Sequence, residues 1–263
     1  MRLILGGVLL AIATPAAAQE REYCPERPGI GTPACTMARG RVSVETALAD
    51  WTLERDSETR TDTVLVGDTR VRVGLSDSLE AQIGWTPFGH VRERDRMAGG
   101  VERANRVGDV FLGLKANLMN PDGKGLSIAA LPFATLPVGR QPVGAGDWGT
   151  GLLVPVTYDL SDTFNVQFTP EIDAAVDEDG EGRHLAFSGT IGLAAQLSEA
   201  LTGTVELQAL RDRDPADRTT QTLAGASLGW MLGEDTQLDA GCNAGLNRAS
   251  PDVELYLGVS RRF

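Results

Sequence analysis

Beyond residue 40, apolar and polar residues alternate with a period of two, and this pattern constrains the fold more than any other feature of the chain. Residues 164–169 read Phe-Asn-Val-Gln-Phe-Thr, and residues 237–242 read Gln-Leu-Asp-Ala-Gly-Cys. Successive side chains of a β-strand point to opposite faces, so each such stretch predicts a strand with one apolar and one polar face. Gly, Pro and Asp clusters interrupt the alternation, and no helical repeat is sustained. The sequence therefore predicts an all-β protein.

The alternation predicts about twelve strands, a number within the range of transmembrane barrels. We place them at 41–52, 62–75, 79–88, 107–118, 126–137, 148–160, 164–175, 184–197, 201–211, 219–232, 236–247 and 253–263. Short turns at 76–78, 120–125, 161–163, 198–200 and 233–235 then alternate with longer loops at 53–61, 89–106, 138–147, 176–183, 212–218 and 248–252.

This alternation of connector lengths is typical of outer-membrane barrels, which have tight periplasmic turns and longer extracellular loops. A soluble sandwich has no reason to sort its connections in this way. We therefore predict a transmembrane antiparallel up-and-down β-barrel over residues 41–263.

The first residues have the layout of a secretory signal peptide. Arg2 precedes an apolar run, and Pro15 is followed by three alanines at 16–18. The run is shorter than the roughly 20 residues that a spanning helix needs. We predict a signal peptide over residues 1–18, cleaved after Ala18, which directs the chain to the bacterial outer membrane.

Residues 19–40 are predicted as a periplasmic N-terminal segment, and a plug inside the barrel is the alternative left open. Cys24 and Cys35 flank a Pro/Gly-rich loop and could close it as a disulfide in an oxidising compartment. They lack the paired ligands that zinc requires. We predict neither a metal nor a cofactor.

The net charge of −12 argues against nucleic acid as a partner, because phosphate binding needs a basic surface. We expect the partners to be outer-membrane lipid and lipopolysaccharide, a small-molecule solute and the barrel-assembly machinery. The last of these is expected because the closing strand ends on an aromatic residue, Phe263.

Aromatic residues collect at the two interfaces of a membrane. If the first strand runs outward, lipid-facing rings form two groups at opposite ends of the barrel. The predicted interface residues are Trp85, Trp148 and Phe187 at the extracellular end and Tyr158, Phe164, Trp230 and Phe263 at the periplasmic end.

The same register directs charged and amide side chains of both signs into the lumen. The lumen-facing candidates are Arg70, Arg72, Glu80, Gln82, Asp109, Lys115, Glu171, Asp173, Glu206, Asp239 and Glu254. They could line a water-filled path, with their acidic excess favouring cations, or pair across a narrow interior and block it. We predict an outer-membrane channel for passive uptake of small organic solutes, and keep a structural barrel or an enzyme at the barrel rim as the alternative.

Sequence strings that suggest an enzyme lack their structural context, so we predict no catalytic residue. The glycine-rich run at 144–149 leads from a loop into a strand, and the Gly-x-Ser-x-Gly string at 225–229 lies in the middle of a strand. Neither is at the strand-to-helix turn that its motif requires. His184 lies near Glu171 and Asp173 on the neighbouring strand, but no nucleophile accompanies it. The arginines of the 89–106 loop could pair with lipopolysaccharide phosphates, and a salt-bridged loop of mixed charge is the alternative.

Several segments together resemble a known outer-membrane family, the one named for the meta-pathway of phenol degradation. The resemblance is carried by residues 24–29 and 33–36, Val107-Gly108-Asp109-Val110 with Lys115, residues 146–149, and residues 254–258. It covers nearly the whole chain after the signal peptide. It implies a barrel tied to uptake of small organic compounds, aromatic or hydrophobic ones included, and it supplies no catalytic residues.

Overall fold

The computed structural model describes residues 21–180 and 182–263. Sixteen strands within these residues form one antiparallel sheet. The predicted signal peptide, 1–18, lies outside the described residues. The strands are β1 (Val42–Arg55), β2 (Thr59–Val66), β3 (Asp68–Gly74), β4 (Leu79–Trp85), β5 (Phe88–Asp95), β6 (Val101–Arg106), β7 (Val110–Met119), β8 (Leu126–Leu136), β9 (Gly149–Leu153), β10 (Val156–Asp159), β11 (Phe164–Val176), β12 (Arg183–Ser198), β13 (Leu201–Arg211), β14 (Thr220–Met231), β15 (Thr236–Gly245) and β16 (Val253–Arg262).

The sheet closes on itself because β1 pairs with β16. Val42 and Phe263 exchange two backbone hydrogen bonds at this seam, 3.2 and 2.8 Å long. The wall has twelve strands, since β2–β3, β4–β5, β6–β7 and β9–β10 are each one strand with a break. The prediction of a closed antiparallel barrel is confirmed. Among the described residues, no helix is long and apolar enough to cross a membrane.

The wall is polar inside and apolar outside, the reverse of a soluble protein. In β4, Glu80 and Gln82 point inward and are 0% and 3% exposed, whereas Ile83 points outward and is 49% exposed. In β13, Glu206 is buried between the exposed side chains of Val205 and Leu207. This arrangement suits a barrel whose outer surface meets hydrocarbon.

The breaks in the wall have local causes. Gly67 separates β2 from β3 with a φ of 74°, a conformation that glycine adopts readily, opposite a register shift between Ala47 and Ala49. Pro87 and Pro155 lie at the breaks after β4 and β9, where a missing amide hydrogen interrupts the ladder.

The predicted loops 53–61 and 89–106 are wrong in extent. β1 and β2 continue to a turn at 56–58, and β5 and β6 form a hairpin with only residues 96–100 between them. Both faces of this extension are polar, so it lacks the apolar alternation by which the other strands are recognised. The outer edge of β6 has no pairing partner among the described strands.

A plugged lumen as the candidate solute path

The segment 21–40 lies inside the barrel. It is anchored at the short-turn end, where Thr36 N donates to Pro121 O at 3.0 Å. It reaches the middle of β11, where Thr32 N and Thr32 O both bond to Thr169 Oγ1, at 3.1 and 3.0 Å. It then returns to β1 through Gly40, whose amide donates to Gly74 O. The described part of the predicted periplasmic segment therefore lies in the lumen, which corrects its placement; we call residues 21–40 the plug.

Wall carboxylates accept hydrogen bonds from the plug backbone. Glu206 receives the amides of Ile30 and Gly31, both at 2.8 Å. Glu80 receives the amide of Met37 at 2.7 Å. These bonds satisfy the backbone of a segment that has no strand partner of its own, so polar wall residues determine where the plug lies.

A third carboxylate, Glu45 on β1, holds the plug on the same side of the barrel as Glu80. Its Oε2 accepts the amides of Glu26 and Arg27 at 2.8 and 3.1 Å. Near Glu206, Gly29 has a φ of 115°, and a Cβ there would lie 2.7 Å from Glu206 Oε2. Only glycine fits this close approach of backbone to carboxylate.

Arg72 is the centre of a buried ion cluster and is 0% exposed. Its Nε and Nη2 donate to the two oxygens of Glu80 at 2.9 and 3.0 Å, and its Nη1 donates to Glu45 Oε1 at 2.9 Å. Nη1 also donates to the carbonyl of Cys24 in the plug at 2.8 Å. The guanidinium fork thus joins three wall strands to the plug.

Glu26 carries the plug's own charge into this cluster. Its Oε1 accepts Lys115 Nζ at 3.0 Å and Gln82 Nε2 at 2.7 Å, and Arg72 Nε lies 3.7 Å away. Burial raises the pKa of the Glu26 carboxyl, but Lys115, Arg72 and Arg70 lower it more, so the pKa lies well below its ordinary 4.5. Glu26 is therefore ionised when the plug is docked.

Arg27 fixes the plug to β15, which is separated from β1 by β16 alone. Its guanidinium pairs with both oxygens of Asp239 at 2.8 and 3.2 Å and lies 5.6 Å from the ring centroid of Tyr256. Gln237 Nε2 donates to its carbonyl at 2.7 Å. The plug crosses the lumen, because Glu80 on β4 and Glu206 on β13 bind it from opposite sides of the wall.

A disulfide joins Cys24 and Cys35, whose Cα atoms lie 6.5 Å apart. It closes the loop that carries Glu26, Arg27 and the Glu206 contacts. Cys242 is a free cysteine on the exposed surface.

A cavity of about 1330 Å³ opens at the short-turn end, between the plug and the wall strands β10–β15. Plug residues including Glu26 and Pro28 line one side, and polar wall residues including Asn165 and Gln167 line the other. The residual space beside the plug is therefore lined by polar and apolar side chains together and is open to one end of the barrel.

Beyond the plug, the lumen holds an aromatic pair. Phe111 and Phe133 stack with ring centroids 5.2 Å apart and an interplanar angle of 22°. The Arg70 guanidinium lies 3.8 Å from the Phe111 centroid and donates to Gln82 Oε1. Gly113 leaves room for the rings, since a Cβ there would lie 2.8 Å from Phe111 Cε1.

Acidic residues without cationic partners occupy the same part of the lumen. Asp173 extends towards the aromatic pair, because a Cβ at Gly151 would collide with both Asp173 Oδ1 and Phe133 Cζ. Glu171 accepts Ser188 Oγ at 3.0 Å and also lies within hydrogen-bonding reach of Asp173. Glu254 accepts Asn243 Nδ2 at 2.7 Å and lies beside Asp50. This half of the lumen is therefore negative.

Asp109 differs from the other lumen candidates because it holds a loop. Its two oxygens accept the amides of Gly139 and Ala145, at 2.9 and 2.7 Å. Val143 of the same loop packs closely on Gly89 of β5, where an added Cβ would lie only 2.7 Å from the valine side chain. The loop therefore lies over β5. Asp109 thus fixes the 138–147 loop at the rim.

His184 contacts loop carboxylates and not Glu171 or Asp173, the neighbours considered from the sequence. Its Nδ1 lies 2.8 Å from Asp177 Oδ1 and its Nε2 lies 2.7 Å from Asp212 Oδ1. Asp177, His184 and Asp214 offer ligand atoms within 4.8 Å of one another and are the described residues that could hold a metal ion. Asp214 is already engaged by backbone amides of Ala216 and Glu178, which lower its pKa. The contacts of His184 with Asp177, Asp212 and Asp214 therefore join the loops between β11 and β12 and between β13 and β14.

The predicted interface aromatics lie on the outer surface at the two ends of the wall. At the long-loop end, Trp85 and Trp148 are 41% and 48% exposed, Phe187 is half-buried, and the guanidinium of Arg183 lies 3.7 Å from the Trp148 ring. At the short-turn end lie Tyr158, Phe164, Trp230 and Phe263, all exposed. Their contact with a membrane interface stays a prediction.

Several residues of the lumen were missed by sequence reasoning. Glu45 lies on the inner face of β1, and simple alternation would have found it. Glu26 and Arg27 precede the first strand, so no periodicity predicts their position. The alternation indicates that Phe111 faces inward, but it does not identify Phe133 or the stacking of the two rings.

Comparisons with known proteins agree with this architecture. The transport unit of the autotransporter AIDA-I from Escherichia coli has a TM-score of 0.55 and 6% identity, covering 84% of this chain and 89% of that one. A monoaromatic hydrocarbon channel, CymD, has a TM-score of 0.46 and 9% identity, covering 86% and 88%. The translocator domain of NalP from Neisseria meningitidis has a TM-score of 0.48 and 15% identity, covering 85% and 88%. The first of these supports the barrel fold alone.

No curated protein matches the chain at the sequence level. A family model does match, over residues 26–263, and its description reads "Putative MetA-pathway of phenol degradation". The match begins within the plug and runs to the last residue, so it covers both parts of the structure. The chain belongs to this family of outer-membrane-type β-barrels, as its segments at both ends had indicated.

Proposed function

We propose that the protein is an outer-membrane channel for passive uptake of small neutral or cationic organic solutes. The observation that carries the proposal is the negative half-lumen that contains the Phe111–Phe133 pair. An aromatic solute can stack on these rings, and uncompensated carboxylates attract cations and repel anions. The family's description, which refers to phenol degradation, agrees with an aromatic solute.

The plug reduces the open cross-section and must leave a polar passage or move for solutes to cross. The cavity of about 1330 Å³ beside it supports the first route on the periplasmic side. A barrel of twelve strands is narrower than general porins with 16–18 strands. We therefore expect a small conductance and passage of small solutes only.

A non-transporting structural barrel is the second candidate, and one observation favours it. The plug crosses the lumen from Glu80 to Glu206 and is anchored on both sides. If neither the side passage nor plug movement opens a path, the barrel is sealed.

The experiment is ion conductance of the purified chain in planar bilayers, with a KCl gradient to measure selectivity. We expect a small, cation-selective conductance. The double variant E171Q/D173N should lose much of the cation preference, because it neutralises lumen carboxylates. The matched control E58Q changes an exposed residue in the β1–β2 turn and should leave selectivity unchanged.

Stacking is tested separately with an aromatic cation and an aliphatic cation of similar size as blockers. We expect the aromatic one to block more strongly, and F111A to remove the difference. Absence of conductance in the wild-type chain would support the sealed barrel, and anion preference would contradict the proposed solute class.

A further inference from the structure

The strands β1, β2, β5 and β6 continue beyond the wall as a four-stranded sheet whose charges are sorted by face. One cross-strand row is formed by Arg55, Arg60 and Arg94, and the next contains Asp62, Arg92 and Arg103. We call the five arginines the arginine face. The alternate rows contain acidic residues instead, at Glu54, Glu93, Glu102 and Asp95.

The arginine face points outward, towards the membrane surroundings. In the β1–β16 ladder, Trp51 pairs with Leu255, which is 47% exposed on the apolar surface, and Thr52 pairs with Glu254 in the lumen. Side chains alternate along β1, so Arg55 shares the outer face with Trp51. The other arginines share that face because they align with Arg55 and Leu53 across the ladder.

The arginines lie just beyond the apolar part of the wall. Their two rows follow Trp51 by two and four residues along β1, which is about 7 and 13 Å of strand. An interfacial tryptophan lies at the level of the lipid headgroups. The arginine face is therefore at or slightly above the headgroup level of the outer leaflet.

The positive charge of this face is only partly compensated within the protein. Asp62 is shared between Arg60 at 2.9 Å and Arg92 at 3.7 Å, and Arg55 pairs with Asp252 at 3.2 Å. In the described part of the chain, no carboxylate lies within ion-pairing distance of Arg94 or Arg103. These two are also directly opposite Arg60 and Arg92 in the ladder, a placement of like charges that destabilises a sheet.

We propose that the arginine face binds phosphate groups of lipopolysaccharide in the outer leaflet. An anion between the rows offsets the repulsion of opposed arginines, and the guanidinium fork matches phosphate oxygens. The sorting of signs by face argues against the alternative in which mixed charges cancel, because Arg94 and Arg103 lie on the face away from Glu93 and Glu102. The proposal does not depend on solute transport.

The test compares two double variants of the same hairpin. R94Q/R103Q removes two charges from the arginine face, and the matched control E93Q/E102Q removes two from the opposite face. Each purified chain in neutral detergent is titrated with lipid A carrying both phosphates, with dephosphorylated lipid A and with phosphatidylglycerol, and bound lipid is counted by native mass spectrometry. Cold and heated gel mobility shows that each variant is folded.

We expect wild-type chain and E93Q/E102Q to bind bisphosphorylated lipid A alike, and R94Q/R103Q to bind at least tenfold more weakly. Wild-type chain should bind dephosphorylated lipid A at least tenfold more weakly than the bisphosphorylated form. The single variant R103K retains the positive charge but lacks the guanidinium fork, so its affinity for bisphosphorylated lipid A should lie between those of wild type and R94Q/R103Q. Equal binding by wild type and R94Q/R103Q, or equal binding of lipid A with and without phosphates, would overturn the proposal. Equal affinity for phosphatidylglycerol would also overturn it, because the face would then be a general anionic-lipid surface.

Discussion

Replacing Arg72 with methionine tests most directly whether the buried ion cluster of Arg72, Glu80, Glu45 and Glu26 anchors the plug. Arg72 is fully buried and compensates Glu80 at 2.9 Å, Glu45 at 2.9 Å and, less closely, Glu26 at 3.7 Å. Methionine fills similar space but leaves the carboxylates of Glu80, Glu45 and Glu26 with two remaining cations nearby, Lys115 at 3.0 Å and Arg70 at 4.0 Å from Glu26. Removing one partner of a buried ion pair costs about 3–5 kcal/mol, so we expect R72M to lower the free energy of unfolding by at least that amount.

The measurement is urea-induced unfolding of the barrel in lipid vesicles, followed by tryptophan fluorescence and by gel mobility. The matched control is K124M, which removes the exposed Lys124–Glu22 pair, whose side chains are 64% and 83% exposed. An exposed pair contributes about 0–1 kcal/mol, so K124M should resemble wild type.

Two further variants keep this prediction testable if R72M folds poorly. R72K keeps the positive charge, so its free energy of unfolding should fall less than that of R72M. Adding E80Q to R72M should recover part of the loss, because one buried carboxylate is then neutral. If R72M unfolds within about 1 kcal/mol of wild type, the size expected of an exposed pair, the cluster does not anchor the plug.

Three further predictions concern the plug and the rim. Because the pKa of Glu26 is lowered from 4.5, its stabilisation is present above pH 4.5 and lost as the pH falls below it; the stability difference between wild type and E26Q should shrink between pH 5 and 3 in the same unfolding assay. C24S/C35S removes a cross-link of short span and should lower stability by about 2–3 kcal/mol; an unchanged unfolding midpoint would show that the plug is held by its polar contacts alone. D109A frees the amides of Gly139 and Ala145 and should make loop 138–147 several-fold more sensitive to protease without changing barrel stability; unchanged cleavage would show that Asp109 does not fix this loop.

Alternation predicted the wall well because hydrocarbon on one side and a polar lumen on the other impose a strict period of two. The same rule assigned Glu80, Lys115, Glu206 and Asp239 to the interior, where the structure buries them. It failed at 89–106, since both faces of the β5–β6 hairpin carry polar side chains and the apolar signal is absent. It also treated the arginines there as a mixed cluster, because only the strand register separates Arg92 and Arg94 from Glu93.

The plug could not be placed from sequence. Residues 25–34 are rich in proline and glycine and have no periodicity, so their backbone amides could be satisfied by water as well as by the wall. Their position depends on three-dimensional matches, such as the Ile30 and Gly31 amides on Glu206, between groups more than 170 residues apart. Such matches leave no local pattern.

Amide hydrogen exchange of the membrane-reconstituted chain tests the central claim, that the segment 21–40 fills the lumen, without altering the protein. We predict that peptides covering Glu26–Met37 exchange slowly, at rates comparable to those of β11 and β13, because their amides bond to buried wall residues. Exchange of this segment at the rate of an unstructured peptide, with the wall strands still protected, would contradict a plugged barrel.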